Sequence, residues 1–175
     1  QSNSSGAKMT AFLSVTLFPL LMIIAGTGDA LSMRIPNWLT LLIALLFIPM
    51  ALLTGMPWSL IGIHLAVGFG LFVVGFALFA LGLFGGGDSK LLAAAGLWLG
   101  WADLMPFLVM TAFAGGVLAL CVGIWSAINV SSEIKDGSIF KHLGSIKPNV
   151  PYGYAFAIGA ILAFPQSWWM PMAQV

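Results

Sequence analysis

Gly85-Gly86-Gly87-Asp88-Ser89-Lys90 sets an acid and a base beside three glycines, between the apolar runs 60–83 and 91–101. Charge is scarce elsewhere: Asp, Glu, Lys and Arg make up 6% of the 175 residues, and hydrophobic side chains 61%. With a mean hydropathy of +1.08, the chain has too few polar side chains to cover itself in water and reads as an integral membrane protein. A carboxylate in such surroundings is costly to keep and is read by default as functional. What matters is its partner.

Working outward from that stretch, apolar segments recur at residues 11–28, 38–53, 60–83, 107–128 and 151–169. Each approaches the roughly 17–25 residues that cross a hydrocarbon core of about 30 Å. Residues 91–101 are apolar but short, and read either as a crossing extended by Asp88–Lys90 or as a re-entrant piece. The expectation is an all-α membrane protein of about six transmembrane helices, one polytopic domain over residues 9–175. Residues 1–8 (QSNSSGAK) are polar and unlike the rest, and are set aside as a foreign leader. Gly62, Gly68, Gly70, Gly75 and Gly82 along the third segment read as close-packing positions. Cys121, the only cysteine, reads as core filling. Trp38, Trp168 and Trp169 read as interfacial residues.

The basic residues set the orientation. Arg34, Lys90, Lys135, Lys141 and Lys147 all fall on one side if the fourth segment crosses, whereas residues 54–59 and 101–106 contain no Lys or Arg. By the positive-inside rule that side is cytoplasmic and both termini are extracytoplasmic. Asp29 and Asp88, two crossings apart, then share the cytoplasmic face. Asp103 falls on the opposite face and reads as structural, and His64, within the third segment, as an interhelical hydrogen bond. His142 reads as a loop residue.

Several chemistries are disfavoured. A formal net charge of +1 offers no basic surface to nucleic acid. No His, Cys or acid cluster has metal-ligand spacing, so neither metal nor cofactor is expected. The glycine–lysine stretch lacks the GxxxxGK[ST] pattern, and an acid after Gly87 would repel a phosphate.

Asp29 and Asp88 each stand at the end of an apolar segment and can meet only through tertiary packing. Two close carboxylates cannot both ionise cheaply, so one retains a proton while the other stays charged. The charged one can take a proton from water and the neutral one can polarise a peptide carbonyl. Gly85, Gly86 and Gly87 would give Asp88 a flexible seat and let an extended backbone approach. The plainer readings are a helix-capping role for Asp88, pairing of Asp29 with Arg34, and topology marking by Lys90 and Arg34, although Lys90 could also hold the pair's charge.

Gly85-Gly86-Gly87-Asp88 resembles the GxGD motif of the prepilin peptidase family, and Asp29-x4-Arg34-Ile35-Pro36-Asn37 resembles its first-aspartate motif. Lys90-Leu91-Leu92 and Pro151-Tyr152-Gly153 also resemble family patterns. The resemblance implies an aspartic endopeptidase of the bacterial inner membrane, with Asp29 and Asp88 catalytic and Gly85–Gly87, Lys90, Arg34, Pro36 and Asn37 as motif or substrate-binding support. It implies a type IV prepilin or pseudopilin as partner, within the lipid bilayer, cut after a basic leader at the cytoplasmic face. The short chain looks most like the compact branch that processes Flp pilins. Larger members carry a cysteine-rich region and also methylate the new terminus; that region is missing here, so methyltransferase activity is expected to be absent. The alternative is a small transporter or channel whose two acids bind a cation or relay protons.

Overall fold

The computed structural model describes residues 2–131 and 152–170. These form six helices, without a strand among the described residues: α1 (Ser2–Ser32), α2 (Asn37–Leu53), α3 (Trp58–Ala80), α4 (Gly86–Leu99), α5 (Leu104–Ser131) and α6 (Tyr152–Ala163), the last followed by a 3-10 turn at Phe164–Gln166. Val15–Ser32, Trp58–Ala80 and Leu104–Ser126 are long and apolar enough to cross a membrane, and Asn37–Leu53 is a shorter apolar helix. Lys135, Lys141, His142 and Lys147 lie outside the described residues.

The helix starts follow local chemistry. Pro36 caps α2 in an extended conformation (φ −64°, ψ 135°), as a residue without an amide hydrogen suits a helix start. At the end of α3, Gly82 turns to φ +71° and its amide donates to the Phe79 carbonyl at 2.9 Å, closing the helix several residues before the apolar run ends.

The central element is α4, in which Asp88–Lys90 extend the apolar residues that follow, as the first of the two readings expected. The helix starts at Gly86, so Gly86–Lys90 form its first turn. Its 14 residues reach about 21 Å. Leu91, Leu92 and all of Ala94–Leu99 are buried, because α2, α3 and α6 enclose it. A helix apolar all round suits such a position. Trp98 anchors the packing: its ring stacks on Phe18 at 5.1 Å, and its indole Nε1–H donates to the Ile43 carbonyl at 2.8 Å. His64 meets its expectation, with Nδ1–H donating to the Leu97 carbonyl at 2.8 Å across the α3–α4 seam. Asp103 is buried between α4 and α5, at the opposite end of α4 from Asp88.

Three sequence readings need correction. Trp169 is wholly buried, not interfacial; its ring lies 5.0 Å from Trp98 and its Nε1–H donates to the Trp98 carbonyl at 2.8 Å. Cys121 is exposed on α5 rather than filling the core. Of the α3 glycines only Gly68 and Gly75 serve close packing, with the places for a Cβ lying 3.0 Å from Leu97 and 3.1 Å from Ser89. Gly62 and Gly70 have nothing within 4 Å, because they lie on another side of the helix.

Candidate active site

Asp29 is carried on the inward face of α1. Phe18, Met22 and Ala25 are each fully buried, and steps of four and three residues lead from them to Asp29 on the same stripe. Asp29 is only 6% exposed and is helical, in the last turns of α1 rather than in the connection that follows. Its Oδ2 accepts the amide hydrogen of Gly153 at 2.8 Å. That amide belongs to the first turn of α6, where backbone donors have no partner within the helix and the helix dipole favours negative charge. What brings α6 so close is Gly26, one turn before Asp29: a Cβ there would stand 2.7 Å from that of Ala157.

Beyond Asp29 the helix stops at Met33, which takes φ +52° while its amide donates to the Asp29 carbonyl at 2.7 Å. The chain then inserts Ile35, which is buried, between the first turns of α4 and α6. A Cβ on Gly87 would lie 3.1 Å from Ile35 Cβ, and one on Gly153 would lie 2.6 Å from Ile35 Cδ1. The isoleucine therefore spaces the two helix starts that carry the polar groups.

Asp88 is the third residue of α4. The Gly85 amide donates to its Oδ2 at 3.2 Å, so the capping reading holds; this is the carboxylate half of a capping box, since glycine has no side chain to return the bond. Ser89 Oγ–H is directed at the Gly75 carbonyl at 2.7 Å and the Gly85 carbonyl at 3.1 Å, fixing the start of α4 against α3. Burial, and then the neighbouring charge of Asp29, push the Asp88 carboxyl up to about 6, while the Gly85 and Gly153 amides draw it part of the way back.

Both acids line one cavity of about 310 Å³, together with Met33, Arg34, Ile35 and Gly85–Gly87. Tertiary packing thus brings the two acids onto one cavity. The glycines work differently from the expectation: Gly85 is extended at φ −74° and ψ 151°, and Gly86 and Gly87 are helical, so the stretch is an ordered helix start. Gly87 is needed for proximity to Ile35 rather than for flexibility. Arg34 lines the cavity and is exposed, yet among the described residues it forms no ion pair with Asp29. Lys90 lies apart from the acids. Its Nζ donates to Asn37 Oδ1 at 2.8 Å, and both side chains border a separate groove. Pro36 serves as the cap of α2. Among the described residues no group of three or more His, Cys, Asp or Glu could hold a metal.

Sequence reasoning missed Ile35 and Ser89 and assigned no role to Gly153. The available signals were their positions inside or beside the RIPN, GGGDSK and PYG stretches. Chemically, the cavity offers two carboxyl groups: Asp29 with a 2.8 Å bond from the first turn of α6, and Asp88 with a 3.2 Å bond from the Gly85 amide. Such a pair can hold one proton between them.

No curated protein and no solved structure matches the chain. A family model does, described as the type IV leader peptidase family and covering residues 16–120. That region is more than half of the chain and contains both acids, the RIPN segment and the triple glycine, whereas Gly153 lies beyond it. The chain belongs to the type IV leader peptidase family.

Proposed function

We propose that the protein is an aspartic endopeptidase of the bacterial inner membrane that removes the short basic leader from type IV, Flp-like prepilins or pseudopilins at the cytoplasmic face. The observation that carries this reading is the pair of acids on one cavity, each held by a different helix start. Asp29 and Asp88 are the catalytic residues. Asp29, stabilised as an anion by the Gly153 amide, takes a proton from a water molecule whose oxygen attacks the scissile carbonyl carbon. Asp88, neutral at the outset, gives its proton to the carbonyl oxygen. The tetrahedral diol then collapses: Asp29 returns its proton to the leaving nitrogen, Asp88 regains one from the diol hydroxyl, and the C–N bond breaks. Overall, one water is consumed, releasing one carboxyl and one amine.

Gly85–Gly87 keep that side of the cavity free of side chains, giving an extended segment access to Asp88. The leader's basic residues remain on the side where Arg34 and Lys90 mark the cytoplasm. No methyltransferase activity accompanies cleavage. The test is processing of a co-expressed precursor by the wild type, Asp29→Asn and Asp88→Asn, with membrane insertion checked for each. Intact precursor in both variants at normal insertion supports the reading. Cleavage by either variant overturns it.

A further inference from the structure

A second cavity, about 540 Å³, opens between α2 and α3 and takes no part in the chemistry above. Gly68, Ala93 and Ala94 form its floor, and Leu41, Phe69 and Phe72 its walls. The wall side chains are exposed. At one end stand Asn37 and Lys90, the polar end of an otherwise apolar groove. The Lys90 ammonium carries three donors. One reaches Asn37 Oδ1, and no carboxylate pairs with it among the described residues. Asp88, two positions earlier, does not share its helix face and lines the other cavity.

The size of the groove limits what it can hold. A helix about 10 Å across, rising about 1.5 Å per residue, fills on the order of 120 Å³ per residue. The groove would take about four or five such residues, far short of the roughly 20 that cross a bilayer. A single polymethylene chain, without backbone or side chains, is a far slimmer occupant. An unpaired cation at the groove's end adds charge complementarity, since the cytoplasmic leaflet, the side marked by Lys90, carries anionic lipid. A second groove of about 450 Å³ serves as an internal contrast. It borders the other side of α3, with Val67, Gly70, Leu71 and Trp101 in its lining and no charged residue. It gives no basis for choosing one headgroup over another.

We infer that the groove between α2 and α3 binds one acyl chain of an anionic phospholipid, with the lipid phosphate on the Lys90 ammonium and Asn37 holding that ammonium in place. A free phosphate would leave the apolar length of the groove unfilled. This assignment stands independently of the peptidase reading, because its readout is binding.

Native mass spectrometry of the purified full chain, titrated with phosphatidylglycerol or phosphatidylcholine of identical acyl chains, tests it. The wild type should retain one phosphatidylglycerol with about fivefold preference over phosphatidylcholine. Lys90→Gln should abolish the preference. Ala93→Phe should fill the groove and remove the retained lipid, and Leu65→Trp, at another residue of the groove's lining, does the same should the first variant fail to fold. Equal retention of both lipids by the wild type overturns the proposal, as does a preference that survives Lys90→Gln or a retained lipid that survives filling. If a twenty-residue apolar helical peptide displaces phosphatidylglycerol from the groove, the occupant is a protein segment and the proposal falls.

Discussion

Gly153 donates its amide hydrogen to Asp29 Oδ2 at 2.8 Å, joining residues 124 positions apart. The bond couples the last turns of α1 to the first turn of α6, and the same amide also bears on Asp88. Asp29 receives a short bond from a helix N-terminus. Asp88 receives its bond from Gly85 at 3.2 Å.

Gly153→Ala should disable the site. The added Cβ would stand 2.9 Å from Asp29 Oδ2 and 2.6 Å from Ile35 Cδ1, so the Asp29 carboxylate or the Ile35 side chain must shift. A displacement of about 1 Å can cost about a hundredfold in rate, and precursor cleavage should fall by that order. Rate assays in detergent check this, with thermal unfolding followed in parallel. Wild-type activity in the variant would remove Gly153 from the site.

The three glycines should differ in their tolerance of alanine. At Gly86 a Cβ would meet only Phe79 at 3.6 Å, an ordinary contact, whereas at Gly87 it would lie 3.1 Å from Ile35 Cβ and at Gly85 2.8 Å from Asp88 Oδ2. Gly86→Ala should retain activity within about twofold and gain up to about 1 kcal/mol from helix propensity. Gly85→Ala and Gly87→Ala should lose at least about tenfold in cleavage, through displacement of Asp88 or of Ile35. A stretch acting as a flexible loop would instead respond similarly at all three positions.

The raised pKa of Asp88 has a definite sign in stability. Its usual value is 3.8 and the folded value about 6, so between these the folded protein holds a proton that the unfolded chain releases. Stability from this group is therefore greatest below about pH 4, declines as pH rises to about 6, and is level above that. Melting temperature against pH should show that decline in the wild type and lose it in Asp88→Asn. If cleavage follows the proposed mechanism, with Asp88 neutral and Asp29 charged, it should also fall on the alkaline side with an apparent pKa near 6. Asp29→Asn removes the neighbouring charge and should shift the Asp88 stability transition downward.

Ser89→Ala probes the join between α3 and α4. Loss of the Ser89 hydroxyl leaves the Gly75 carbonyl without its 2.7 Å partner, at a cost of about 0.6–2 kcal/mol for a polar contact between membrane helices. The melting temperature should drop by a few degrees. Cleavage should drop only modestly, because Asp88 keeps its own bond to Gly85.

Trp169→Phe tests whether the C-terminal tryptophan is core or belt. It removes the bond to the Trp98 carbonyl and part of the ring contact. Destabilisation by about 1–3 kcal/mol is expected, from a buried carbonyl losing its donor. Trp38→Phe, at a residue 63% exposed, should change stability by no more than about 0.5 kcal/mol. Equal effects at the two positions would contradict the burial.

Composition and local pattern determine the number of helices, their apolar character, and the two acids with their motifs, because hydropathy and charge along a chain are independent of how each helix is rotated. Rotation is what only the tertiary structure decides. Lipid is as apolar as leucine, so a helix surface that faces lipid reads the same as one that faces α4. Hence Trp169 turns out to be core, Cys121 outward-facing, and Gly62 and Gly70 without a neighbour, although their sequence surroundings resemble those of Gly68 and Gly75. For the same reason Lys90 meets Asn37 and not the acids, Ile35 turns in between two helix starts, and Gly153 joins the site from a segment remote in sequence. The carboxylates were legible as an isolated polar pair in an apolar chain; their surroundings arise from the meeting of three helix ends.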